Sequence, residues 1–228
     1  KMALEDQEKS LARVYVKEGY FDAKVKIEPV EVEPNLVDLH VQVTDADSYV
    51  LGKVYVRGHK VKTYAEIEDT FRSGFSIFGG VTKAEIEDAV TAVLHEYRSA
   101  GYYQTKIDFV SRLVPESKSV DVFLDITEAY HWDVEIEGNE SLSTKELMGA
   151  LTFESSGFVD NGEVAASATA IQQTYVSAGY YWAQVTGEMH WVGEQTHVIT
   201  FKVKEGERAE IGEIVFSGAT SLSRDELM

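Results

Sequence analysis

The chain has 228 residues, 39 acidic side chains against 21 basic ones, a formal charge of −18 and no cysteine. The missing cysteines exclude disulfides, thiolate metal sites and thiol catalysis. The negative field disfavours nucleic acid and anionic lipid surfaces as broad partners, because phosphate contacts dominate nucleic-acid affinity. An apolar fraction of 44% is ordinary for globular protein, and no run approaches the ~20 apolar residues of a membrane helix.

In chain order, Leu4, Leu11 and Tyr15 recur at helical spacing, and Gly19 sits where a left-handed helix cap is wanted. A strand over Ala23–Ile27 and a second, alternating one with Val37, Leu39, Val41 and Val43 follow. Alternation of this kind puts one face on a core and one in water. A short strand then ends at Gly58, and Thr63 with Glu66 forms a helix-start capping box ahead of Ile67 and Phe71. Thr82 with Glu85 opens a longer helix bearing Ile86, Ala89, Val90, Val93, Leu94 and Tyr97, closed by Gly101. Two strands complete the set, Gln104–Phe109 and the run Val120, Val122, Leu124, Ile126.

The whole sequence of signals then recurs. A strand ends at Gly138; Ser143 and Glu146 open a helix with Leu147, Ala150 and Leu151 inside. Asp160 and Glu163 open a second helix with Val164, Ala168, Ile171 and Tyr175, closed by Gly179, and strands at Ala183–Glu188 and around Ile199, Phe201 and Val203 follow. A third start is visible in Ile214 to Gly218, with Ser223 and Glu226 at the same offsets. Gly58, Gly138 and Gly218 are 80 residues apart in both steps, and Tyr-x-x-x-Gly-Tyr occurs three times, ending at Tyr20, Tyr102 and Tyr180. Repetition at fixed period makes the protein an array of small domains.

The reading is an α+β fold of tandem β-α-α-β-β units, each a three-stranded sheet covered by two helices. Residues 1–49 form a partial unit, 50–130 and 131–209 complete ones, and 210–228 the start of another, as in an excised fragment. Connections at about 45–51, 127–132 and 206–211 are very short, which predicts a jointed rod with limited bending. No catalytic constellation is visible, and neither metal nor organic cofactor is expected. The six histidines show no HExxH or other close ligand spacing, although His190 and His197 can line one hairpin. His131, Trp132 and Trp191 could form an aromatic sugar platform, with interdomain packing as the simpler use.

The element order, Val-Glu-Ile-Glu-Gly-Asn at 134–139 followed by Ser143 to Leu147, Gly-Tyr-Tyr at 101–103 and 179–181, and the closing Val-Lys-Glu-Gly at 203–206 resemble the POTRA domain. This is the polypeptide-transport-associated module of the outer-membrane assembly family that includes BamA and TamA. Thr44-Asp45-Ala46 and Thr127-Glu128-Ala129 depart from the family's usual Glu-Gly. The resemblance implies a periplasmic segment ahead of a C-terminal β-barrel. It implies partners among unfolded outer-membrane protein clients and periplasmic accessory proteins or lipoproteins, with no nucleic acid and no enzymatic activity. It also implies that the strand after Gly-Tyr is a sheet edge able to accept a client strand by β-augmentation. The candidate edge residues are Tyr103, Thr105, Ile107 and Phe109 in the middle unit, and Trp182, Gln184 and Thr186 in the next. Two other readings use the same module or the same aromatics: the periplasmic part of a two-partner-secretion transporter, and a surface adhesion or carbohydrate-binding array.

Overall fold

The computed structural model describes residues 2–34, 36–44, 48–76, 80–192, 196–210, 212–215 and 217. It divides into two compact units, Lys1–His131 and Trp132–Met228. Among the described residues no helix is long and apolar enough to cross a membrane.

The first unit opens with helix α1 (Met2–Lys17) and an antiparallel hairpin of β1 (Lys24–Glu33) and β2 (Leu36–Thr44). Glu8 on α1 accepts from the Ile27 amide at 2.7 Å, fixing helix to strand. Then come β3 (Val50–Arg57), α2 (Tyr64–Ser73), α3 (Lys83–Ser99), β4 (Lys106–Val114) and β5 (Ser119–Thr127). The sheet order is β3-β5-β4, with β3 parallel and β4 antiparallel to the central β5. Its core gathers Val54, Ile67, Phe71, Ile86, Val93, Tyr97 and the alternating Val120, Val122, Leu124 and Ile126. The β2 residues Val37, Leu39 and Val41 alternate in the same way but are half exposed. Their sheet has two strands, so the face that α2 and α3 cover on β5 has no equivalent cover on β2 among the described residues.

The second unit repeats the order as β6 (His131–Glu137), α4 (Thr144–Met148), α5 (Phe153–Ser156), α6 (Asn161–Ser177), β7 (Gln184–Val192) and β8 (Thr196–Lys204), with sheet order β6-β8-β7. Its first helix is shorter than the sequence suggests. Gly149 caps it, so Ala150 and Leu151 fall in a turn, and α5 supplies Phe153 to the core in their place. The turn is held by the fully buried Ser167 on α6, whose hydroxyl accepts from the Thr152 amide at 3.0 Å.

Two helix starts form the full expected boxes and two form only half of one. Thr63 and Thr82 accept from the amides of Glu66 and Glu85, and both carboxylates accept in return from the cap amides. Ser143 and Asp160 accept from the N3 amides of α4 and α6, but the Glu163 carboxylate accepts from the Thr152 hydroxyl. Replacing Thr82 by alanine should cost about 1 kcal/mol, read as a lowered urea midpoint at unchanged slope.

All three Tyr-x-x-x-Gly-Tyr segments form one device. Gly101 donates to the Arg98 carbonyl at 2.9 Å and Tyr102 to the Tyr97 carbonyl at 3.0 Å, the paired bonds of a Schellman cap. Gly19–Tyr20 and Gly179–Tyr180 repeat both bonds, and the two tyrosines of each motif meet edge to face at 6.3, 6.4 and 5.9 Å.

The same helices are tied to the far end of the central strand by a carboxylate. Tyr97 donates its hydroxyl to Glu128 at 2.9 Å, and Glu128 also accepts from the amides of Lys60 and Val61. In the second unit Tyr175 donates to Glu205 at 2.9 Å, and Glu205 accepts from both the amide and hydroxyl of Ser141. Burial first, then the adjacent carboxylate, pushes both phenols well above the ordinary tyrosine range. Burial alone would raise Glu205, but the Ser141 and Tyr175 donors outweigh it and hold the carboxyl low.

The short connection ahead of β3 is anchored in the core. Tyr49 is fully buried among the residues of the β3-β5-β4 unit, meets Phe21 edge to face at 5.6 Å and donates to Asp22 at 2.6 Å. Its carbonyl accepts from the Val81 amide at 2.7 Å. Residues 45–47, 77–79, 211, 216 and 218–228 lie outside the described residues. The last group includes Gly218, Ser223 and Glu226, and Gly212–Val215 before it carry no regular element.

Candidate polypeptide-binding site

The strands after Gly-Tyr occupy sheet edges: β4 pairs with β5 and β7 with β8, each on one side among the described residues. Such an edge presents unpaired amides and carbonyls on its other side. Both strands are nine residues long, a useful template for an extended segment.

The expected residues fall into different places. Tyr103 and Thr105 are buried in the turn before β4, which starts two residues later than the sequence suggests. The Thr105 amide donates to the Tyr102 carbonyl at 3.1 Å, and its hydroxyl accepts from the Ala129 amide at 3.4 Å. A tight turn fastened to the Schellman cap therefore delays the ladder. Ile107 and Phe109 are on β4, half buried against the core and opposite Ile126 and Leu124. Trp182 is 63% exposed in the turn before β7. Gln184 and Thr186 are on β7 with exposed side chains, opposite Lys204 and Lys202. The middle-unit pair thus faces the helices and the second-unit pair faces away from them. Ile107 and Phe109 stand five and seven residues after Tyr102, whereas Gln184 and Thr186 stand four and six after Tyr180, and successive residues of a strand alternate faces.

Trp132, Trp191 and His197 come together, whereas His190 does not join them. His197 is buried opposite Trp191 in the register of β7 and β8, with rings 4.2 Å apart, and Trp132 lies 4.6 Å from the same imidazole. Trp132 is buried whereas Trp191 is 74% exposed. His190, one residue from Trp191, is on the other face of the sheet.

Sequence reasoning misses Glu128 and Glu205, which order the loop after the first strand. A carboxylate at the end of each last strand is the available signal, but its partners are about sixty residues distant and only the fold brings them together.

A family model described as "POTRA: Surface antigen variable number repeat" matches residues 132–206. No curated protein matches the chain. Among solved structures, the chain is similar to POTRA domains 3–5 of BamA from Haemophilus influenzae, at 17% identity and TM-score 0.40, covering 88% of this chain and 79% of that one. It is similar to POTRA domains 1–3 of the periplasmic domain of Omp85 from Anabaena, at 14% identity and TM-score 0.40, covering 90% and 82%. It is also similar to CdiB from Escherichia coli, at 13% identity and TM-score 0.32, covering 88% of this chain and 34% of that one. The family model thus matches one unit, and the unit before it is built in the same element order.

Proposed function

We propose that the chain is a periplasmic interaction scaffold of an outer-membrane β-barrel assembly protein, holding client polypeptides and accessory proteins by strand addition. The observation that carries this reading is the position of β4 and β7, each hydrogen-bonded on one side and open on the other. Main-chain bonding along an edge accepts any extended client, and the alternation of pockets adds modest selectivity. Outer-membrane strands alternate apolar and polar residues, which suits such an acceptor. Several edges in one chain would retain a client through weak contacts in parallel, without one tight site. The scaffold reading calls for no catalytic group, and it places a β-barrel in the parent protein.

The test is backbone NMR of the labelled chain titrated with a ten-residue alternating outer-membrane peptide. Amide shifts should concentrate in 106–114 and 184–192. Thr105 is unsuitable for a proline block because its amide is already engaged. Ser111 and Arg112 are better, since they are exposed neighbours on β4 whose amides point to opposite sides. Proline at the outward amide should keep the melting temperature and weaken peptide binding about fivefold, while proline at the other breaks the ladder. Shifts confined to the helices at saturating peptide would defeat the strand-addition mechanism.

A further inference from the structure

The sheet face opposite the helices of the middle unit carries residues that the fold does not require. Register places Tyr55, Phe123 and Val110 in one row across β3, β5 and β4. The Tyr55 and Phe123 rings are stacked, with centroids 4.6 Å apart and planes 8° from parallel. Val110 is 67% exposed beside them. The Arg112 guanidinium approaches Phe123 at 5.5 Å from the ring centroid. The neighbouring row is Arg57, Asp125 and Asp108. Arg57 pairs with Asp125 at 2.6 Å, whereas Asp108, directly opposite Asp125, has no ion-pair partner among the described residues. Like charges opposite one another on a sheet repel. The two rows, without Arg112, line a depression of about 380 Å³.

The second unit shows that this surface is not a demand of the architecture. Counting from Gly138 and from the register of β7 with β8, the positions of Tyr55, Phe123 and Val110 are taken by Glu135, Thr200 and Glu188. Those of Asp125 and Asp108 are taken by Lys202 and Thr186, and Lys202 pairs with Glu188 at 3.1 Å. One sheet closes its outer face with ions; the other leaves an apolar row beside an unneutralised carboxylate.

We propose that the outer face of the middle sheet binds an extended polypeptide segment in which an aliphatic or aromatic side chain is followed within two residues by lysine or arginine. The apolar side chain covers Tyr55, Phe123 and Val110, and the cation meets Asp108. The acidic chain as a whole favours a basic partner. A flat sugar is a poorer fit, because stacking already takes one face of each ring. This site is separate from strand addition and does not depend on it.

The experiment titrates the labelled full chain with two blocked peptides, Gly-Leu-Arg-Leu-Gly and Gly-Leu-Glu-Leu-Gly, and follows the aromatic signals of Tyr55 and Phe123. The arginine peptide should shift both rings and the glutamate peptide neither. Asp108→Asn should weaken binding about threefold. Phe123→Thr should weaken it at least tenfold, through loss of the apolar contact. The second unit folds with Thr200 at that position, and a melting curve establishes that the variant folds as well. Equal binding of the glutamate peptide overturns the proposal. So do shifts limited to β4 and β7 amides, which would assign all binding to strand addition. Ring shifts that arise on concentrating the chain without peptide would assign the face to a second copy, and overturn it too.

Discussion

Gly58→Ala and Gly138→Ala are each expected to destabilise their unit by about 2–4 kcal/mol, or roughly 15 °C in melting temperature for a domain of this size. Both glycines hold positive φ, at 82° and 81°. An alanine Cβ would sit 2.0 Å from the Ile126 carbonyl oxygen at Gly58 and 2.3 Å from that of Val203 at Gly138. The loss has two parts: the left-handed backbone that an L side chain disfavours, and a backbone carbonyl that has to move. Because that carbonyl belongs to the central strand, relief of the clash disturbs the ladder. Gly212 is the control: a Cβ there would meet nothing within 4 Å and its φ is not positive, so its alanine variant should melt with the parent.

Glu205→Ala should cost about 2–3 kcal/mol, since the Tyr175 hydroxyl and two Ser141 donors lose their shared acceptor. Glu205→Gln retains one carbonyl oxygen and should fall between the alanine variant and the parent. The pH dependence follows from the depressed carboxyl. In the folded state the group titrates below its ordinary value of 4.5, so the unfolded chain takes up the proton first as pH falls. The stability it contributes is complete above the unfolded value and is lost as pH drops through the folded one. Urea midpoints measured from pH 6 down to 3 should therefore decline more steeply for the parent than for Glu205→Gln. Parallel declines would remove Glu205 from the acid response.

Much of the fold is legible in the sequence because its signals are local. Thr82 and Glu85 lie three residues apart, and Tyr97, Gly101 and Tyr102 span less than two turns of helix, so cap and partner occur in the same stretch of sequence. The helix stripe from Ile86 to Tyr97 and the alternation from Val120 to Ile126 report burial directly. The start of β4 reads too early, because the turn that delays it depends on the Thr105 amide finding the Tyr102 carbonyl. The end of α4 reads too late. Leu151 keeps helical spacing, but Gly149 and the buried Ser167 on another helix decide the outcome. The candidate site is legible as an edge strand and not as a set of side chains. Ile107 and Gln184 point to opposite faces because they stand at odd and even offsets from their Gly-Tyr pairs, and the sequence alone does not say which parity faces the helices. The Tyr55–Phe123 stack is out of reach because a parallel pairing joins residues 68 apart.

Tyr49 changes how the front of the array handles load. Its ring belongs to the core of the β3-β5-β4 unit, while its hydroxyl and its edge hold Asp22 and Phe21 of the preceding helix–hairpin segment. Swivelling one segment against the other would require drawing a fully buried aromatic into water, at about 2–3 kcal/mol for the side chain alone. At this joint Tyr49 works as a rivet, so reorienting the helix–hairpin segment reorients the middle sheet with it.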